Sequence, residues 1–484
     1  MIWTAAEMIK ATGGTMKGAS DWNATGLALD NRKTEKGDVF IAIQGENHDG
    51  HDFVDGAYEN GAVAALVSHE VPSDIPQIIV NDSLQALRQM AEAARRRCSA
   101  PIVAITGSVG KTGTKHIVSS CLAALGKTHA SQGNYNNHIG APLSLALMPR
   151  DAEFGVFELG MNHSGEIAAL SPMVAPDLAI ITRISNSHGG FFDSLDDIAA
   201  AKAEIFTGLA NNGTAILNAD DPYLDYLSGK ARSYGASRII TCGTAEGADA
   251  RLMDVTRHEH GLDVSAVVNG QAIDFNMKMG ASHWALSAVM ALAVVSTLYP
   301  DNPEALKKAA QALQSLEDLD GRGKRHHATL SDGGVITLID DSYNASPASM
   351  TSALLGLKED PTPGRRVAIL ADMLELGDAA DDLHRGLVDA VAHAAPSVLI
   401  CFGASMAHLA KAYEDQAPDC AIKHCASAED AAVVAKSMLT NGDLVLVKGS
   451  NGMKTSHVVS ALRAGSSPEA QNPKDNNKRG HHAA

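Results

Sequence analysis

"AITGSVGKTGTKHI", residues 104–117, decides how the rest of the chain is read. It continues the apolar run "PIVAIT" (101–106) and passes into "KTGTKHIVSSCLAALG" (111–126), where Ile117, Cys121, Leu122 and Leu125 share one helical face. Strand, glycine turn and helix in that order are the setting of a phosphate-binding loop. Gly107 and Gly110 let backbone N–H groups around Ser108 turn toward an anion, at the positive end of the helix. Lys111 is placed to reach β- and γ-phosphates, Thr112 offers its hydroxyl to Mg²⁺, and Gly113 completes the run. The long form of the motif, G-x-x-x-x-G-K-[ST], wants glycine where this chain has Ile105. The expectation is a short loop, turning only between Gly107 and Gly110, with Ile105 left in the strand.

Around the loop, apolar strand-like runs alternate with helical stretches: "FGVFELG", "DLAIITRIS" and "GTAILN" before the connector "EDLDGRGKRHH". After it come "GVITLID", "RRVAILA", "SVLICFG" and "GDLVLVKG". This alternation predicts largely parallel α/β sheets. Asn269-Gly270 between β-rich runs predicts a hairpin, hence a small antiparallel annex to the central sheet. A chain of 484 residues with 45% apolar composition has room for three domains, each with its own core. The expected boundaries are 1–98, 99–318 and 319–462, with a polar, disordered tail over 463–484. Arg95 to Arg97 close a predicted helix, where cations favoured by the macrodipole read as a solvated end.

A formal net charge of −17 argues against nucleic-acid or anionic-membrane partners. Six cysteines without a C-x-x-C pair read as free thiols of a reducing compartment, and the chain start lacks a signal-peptide pattern, so a cytoplasmic protein is expected. The most apolar stretch, "WALSAVMALAVVSTLY" (284–299), is too short to span a bilayer and reads as a buried core helix.

Three further residues carry chemistry. Glu158 ends a strand at the sheet edge where ligands gather, and its carboxylate suits Mg²⁺. His188 follows another strand; metal contact, capping and substrate contact all remain open to it. Lys202 lies between Ile198 and Ile205 on a helix, near the apolar stripe. Such a lysine usually snorkels to water; the alternative is a desolvated amine of lowered pKa.

Read in order, "TGSVGKT", "GNYNNHIGAPLSL", "FELGMNHSGEI", "NSHGGFFDSLDDIAAAKAEIF", "DDSYNASPASM", "ADMLELGDAADDLH" and "LVKGSNGMK" resemble the Mur ligase family over almost the whole chain. The family's short loop, T-G-[ST]-x-G-K-[TS], accounts for Ile105. The resemblance implies an α/β protein of three domains: a central P-loop ATPase with a mostly parallel sheet, flanked by an N-terminal α/β UDP-substrate domain and a C-terminal Rossmann-like α/β domain. It implies ATP as cosubstrate and two Mg²⁺ ions. The substrates implied by "DDSYNASP", in the absence of a D-[ND]-P-R signature, are UDP-N-acetylmuramoyl-tripeptide and D-alanyl-D-alanine, handled by a monomer. By motif, Thr112, Glu158 and His188 would hold one ion, and a carboxylated Lys202 the other. His283 would meet the nucleotide base, and Arg322, Asp341 and Asn344 the ADP phosphate and ribose. Asp30, Asn31 and Arg32 would meet the uridine nucleotide, Asn134 and Asn137 would line the cleft, and Lys448 and Ser450 would lie near the incoming dipeptide. Where relatives carry a second adenine-facing asparagine, this chain has Ser287. Two other readings are a regulatory protein that keeps the nucleotide site, and a ligase with another peptide acceptor.

Overall fold

The computed structural model describes residues 1–45, 47–186, 190–258, 261–414, 416–417 and 419–464. Residues 3–79 build a two-stranded ribbon and a five-stranded sheet, parallel except for its edge strand Thr15–Lys17. Helix α1 (Ser83–Arg97) then leads to the central sheet.

That sheet has nine strands. Its phosphate-loop unit is β1 (Ile102–Thr106) followed by α2 (Lys111–Ala123). Strands β2 (Phe154–Glu158) and β3 (Leu178–Ile181) flank β1 in parallel, Glu158 opposite Ile105 and Ile181 opposite Thr106. Helix α3 (Leu195–Ala203) starts from a Ser194 cap whose hydroxyl accepts the Asp197 N–H. Strand β4 (Ala250–His258) is the last parallel member; two antiparallel strands, turned by Asn269 and Gly270 at positive φ, form the expected annex. Helix α4 (Trp284–Leu298) is apolar all round and buried against the sheet. No helix among the described residues is long and apolar enough to cross a membrane.

The last sheet has six strands. Strand β5 (Lys324–Thr329) runs antiparallel at its edge to β6 (Val335–Asp341). Helix α5 (Pro347–Glu359) opens on a Ser346 capping box with proline at its first position, and β7 (Leu444–Lys448) lies in the middle of the sheet. The final helix runs to Arg463; the expected tail lies outside the described residues from 465 onward.

One apolar cluster runs from Trp3 to Ala231, so the first two domains share a core. The arginines ending α1 are part of that junction, which corrects the solvated-end reading. Arg95 donates to the carbonyls of Val174 (3.1 Å) and Ala175 (3.0 Å), the end of a central-domain helix, and pairs with Asp177. Arg97 lies 3.9 Å from the ring of Trp3, whose indole N–H donates to the Ala146 carbonyl. Only Arg96 is an exposed end of the expected kind. The C-terminal sheet, by contrast, has two clusters of its own.

Candidate active site

The turn after β1 is shaped by glycines that tolerate no side chain. Gly107 has φ 145°, and a Cβ there would stand 2.0 Å from Thr182 Oγ1. Thr182 itself braces the loop, donating its hydroxyl to the Val109 carbonyl at 2.6 Å. The Ser108 N–H donates to the Arg183 carbonyl, and its hydroxyl accepts the Ser185 N–H. Gly110, at φ 84°, opens α2 without a capping side chain, so its first amides stay available to an anion. Lys111 folds over the loop and donates to the Gly107 carbonyl at 2.7 Å; burial lowers its pKa, with Glu158 opposing and Arg322 adding to the shift. Gly113 has a different task. A Cβ there would lie 1.9 Å from the Trp284 ring, so it lets α4 pack on α2.

Glu158 is buried at the end of β2. Its Oε1 accepts the Asn136 carboxamide at 2.7 Å, while Oε2 accepts no hydrogen bond among the described residues and has the Lys115 ammonium at 3.6 Å. Lys115 lies one turn beyond Lys111 on the same face of α2, a spacing that could have singled it out. Burial lowers its pKa too, against the pull of Glu158. Asn136, not Asn137, reaches the carboxylate. Asn137 caps the next helix, its Oδ1 accepting the Ile139 and Gly140 N–H groups.

Lys202 is fully buried on α3, and its amine has no hydrogen-bond partner among the described residues. Burial first, and the Lys111 charge second, push its pKa well below that of an ordinary lysine; Glu158, Glu166 and Glu204 only partly oppose this. Snorkelling is therefore not what this side chain does. An unprotonated amine is the form that adds to CO₂, and the resulting carbamate, like the open Oε2 of Glu158, is an oxygen donor of the kind Mg²⁺ takes. The donor set thus fits the ion. Among the described residues no three His, Cys, Asp or Glu side chains cluster as a metal site. His188 lies outside the described residues.

Lys111 and Glu158 face a cleft of about 1080 Å³ between the central and C-terminal domains, and Lys115 and Lys202 lie behind its lining. Ser108, Gly110, Lys111, Thr112, Asn134 and Glu158 line one wall. Across it stand Arg322, Asp341, Asn344, Lys448 and Ser450, with His283 at one end. Lys448, at the end of β7, donates to Asp341 (2.8 Å) and to the Asn344 carbonyl (2.9 Å). Burial raises the Asp341 pKa and Lys448 opposes it. The Arg322 guanidinium lies 4.2 Å from the Tyr343 ring. Ser450 accepts the Leu374 N–H. The surrounding protein, then Lys448 and Arg257, hold the His283 imidazole below its ordinary pKa, although the residue is exposed to solvent. Ser287 also lines the cleft, but its hydroxyl is taken up at 2.9 Å by that of Thr114, which ties α4 to α2. Asp30, Asn31 and Arg32 do not line this cleft. They form a 3₁₀ turn in the first domain, in which Arg32 grips Asp30 through two nitrogens.

The sequence and the fold have counterparts in known proteins. Three family models match: "Mur ligase family, catalytic domain" over 23–97, "Mur ligase middle domain" over 105–295, and "Mur ligase, glutamate ligase domain" over 321–451. The UDP-N-acetylmuramoyl-tripeptide–D-alanyl-D-alanine ligase of Rickettsia prowazekii is 33% identical over 461 residues, 95% of this chain and 99% of that one. The ligase of the same name from Bacillus subtilis is 33% identical over 440 residues, 90% and 93% of the two chains. A crystal structure of MurF from Acinetobacter baumannii superposes with a TM-score of 0.81 at 26% identity, covering 96% of this chain and 99% of that one. One of a MurF ligase from Thermotoga maritima, in complex with ADP, gives 0.73 at 25% identity over 91% and 97%. Likeness along the whole length leaves one assignment: the chain belongs to the Mur ligase family.

Proposed function

We propose that this protein is an ATP-dependent ligase of peptidoglycan precursor synthesis, joining D-alanyl-D-alanine to UDP-N-acetylmuramoyl-tripeptide. The observation that carries this reading is full-length identity of 33% to ligases of that activity. Its geometry is in keeping with it: a phosphate loop and a C-terminal lysine face each other across one cleft.

In the first step an oxygen of the tripeptide carboxylate attacks the γ-phosphorus, the bond to the β–γ bridging oxygen breaks, and ADP leaves an acyl phosphate. The loop amides and Lys111 hold the phosphates in line, and the Arg322 guanidinium balances charge on the ADP side. In the second step the dipeptide amine attacks the acyl carbon and loses a proton. The tetrahedral adduct then expels phosphate. Lys448 and Ser450, brought from the C-terminal domain, would position that amine, so reaction requires the two domains together. Mg²⁺ at Thr112, Glu158 and His188, with a second ion at carboxylated Lys202, would neutralise the charge on the phosphates. Asp30, Asn31 and Arg32 would serve the uridine nucleotide. We take the working units as 1–98, 99–318 and 319–462, and the enzyme as a cytoplasmic monomer.

The test is phosphate release from ATP with UDP-N-acetylmuramoyl-tripeptide, with and without D-alanyl-D-alanine. Release that ignores the dipeptide sinks the proposal.

A further inference from the structure

The C-terminal domain meets the central one through a buried ion cluster that the chemistry above does not use. Asp360 follows α5, and its carboxylate is wholly buried. Two arginines reach it from different domains. Arg325, on β5 of the same domain, donates to Asp360 Oδ2 at 2.5 Å and to the Thr362 hydroxyl at 2.8 Å. Arg257, on β4 of the central domain, donates to Asp360 Oδ2 at 2.6 Å and to the Gly356 carbonyl, within α5, at 2.8 Å. Both guanidinium groups border the cleft that holds Lys111 and Lys448.

The division of labour between the arginines matters. A buried carboxylate stripped of all its partners costs several kcal/mol, which would make a contact hard to break. Asp360 keeps Arg325 and the Thr362 N–H whatever the central domain does. When Arg257 withdraws, its charge returns to water and Asp360 remains paired. The cross-domain contact is therefore strong when made and leaves no orphaned carboxylate when broken. A permanent joint has no need of that arrangement; a joint that opens at every turnover does.

We propose that Arg257 and Asp360 form the reversible clasp that closes the C-terminal domain over the nucleotide cleft, and that Arg257 is a positioning residue. It acts through Lys448, Asp341 and Ser450, which line the same cleft as the phosphate loop and do so only while the domains are together. The kinetic consequence rests on the ligase reading above; the closure itself does not.

The experiment uses the full chain with Arg257→Gln, and with Arg257→Lys as a second variant that keeps the cation but not the two-pronged grip. Small-angle scattering of each with bound ATP analogue reads closure, equilibrium binding reads ATP affinity, and dipeptide-dependent phosphate release reads turnover. Arg257→Gln should show a larger radius of gyration than the parent, a kcat lower by roughly 10- to 100-fold, and ATP affinity within about threefold. Arg257→Lys should fall between. An unchanged radius with unchanged kcat overturns the proposal. So does a large loss of ATP affinity at unchanged radius, which would make Arg257 a nucleotide ligand. An expanded variant of a parent that shows no dipeptide-dependent release supports the clasp and removes the ligase assignment alone.

Discussion

Replacing Lys202 by Met should make the protein more stable and inactive. The two side chains are of similar length, so the change opens no appreciable cavity. What it removes is a fully buried amine without a hydrogen-bond partner among the described residues. A buried polar group left unsatisfied costs about 1–3 kcal/mol, which the thioether recovers. For a cooperative unit of roughly 300 residues, the first two domains on their shared core, each kcal/mol moves the melting temperature by about 1.5 °C, so the variant should melt roughly 1.5 to 5 °C higher. A second contribution is linked to protons. The folded state holds the amine well below its ordinary pKa, so the unfolded chain binds the extra proton. Wild-type stability from this group therefore rises with pH between the folded pKa and the unfolded value near 10.4, and is lowest at acid pH. The advantage of Lys202→Met should accordingly be larger at pH 7 than at pH 9.5. Calorimetry of both proteins in CO₂-free buffer, following the joint transition of the first two domains, measures it. A variant that melts at or below the parent at pH 7, or a gap that does not narrow at pH 9.5, refutes the reasoning.

Other consequences are open to simple measurements. Lys202→Ala should abolish phosphate release, and short carboxylic acids should partly restore it by standing in for the carbamate; absence of any rescue would count against that role. Asp318 is raised to about 7 by burial, against the Gly280 N–H and the Arg325 and Arg257 charges. Its neutral form is the one the fold favours, so wild-type stability should fall as pH rises from about 4 to about 7 and level off above. Asp318→Asn should gain on the parent across that window by at most about 4 kcal/mol, less to the extent that the carboxyl is solvated; parallel melting curves against pH would contradict this. Gly113→Ala drives a Cβ into the Trp284 ring and should cost roughly 1–3 kcal/mol. Gly229→Ala, in an open helical position, should instead gain about 0.4–1 kcal/mol in the same denaturation assay.

Much of this was legible because it is local. Ile105 inside the strand, Gly107 and Gly110 at positive φ, the Asn269-Gly270 hairpin and the Ser346-Pro347 helix start are each set by a few neighbouring residues, and the structure repeats them. What escaped depends on distant partners. Arg95 looks like any helix-end cation until the carbonyls of Val174 and Ala175, some eighty positions on, come under it. Ser287 looks like a weak base contact until Thr114 takes its hydroxyl. Asn136 and Asn137 are neighbours of the same type, and only the turn between them shows which faces Glu158. Arg257 and Asp360 carry no local signal at all, being 103 residues apart. Lys202 was ambiguous for a different reason: periodicity places a lysine near an apolar face without saying whether its amine escapes.

The continuous core between the first two domains has a consequence for how the molecule comes apart. Cutting the chain near residue 98 would strip Trp3, Met8 and their neighbours of the apolar surface they rest on, and neither half would keep its shape. Cutting it in the connector after Leu316 would sever no shared cluster, since the last sheet's clusters begin at Ala328. Two fragments divided there should each fold, and, when mixed, should find each other across a polar seam. The protein is three domains in sequence but two bodies in mechanics.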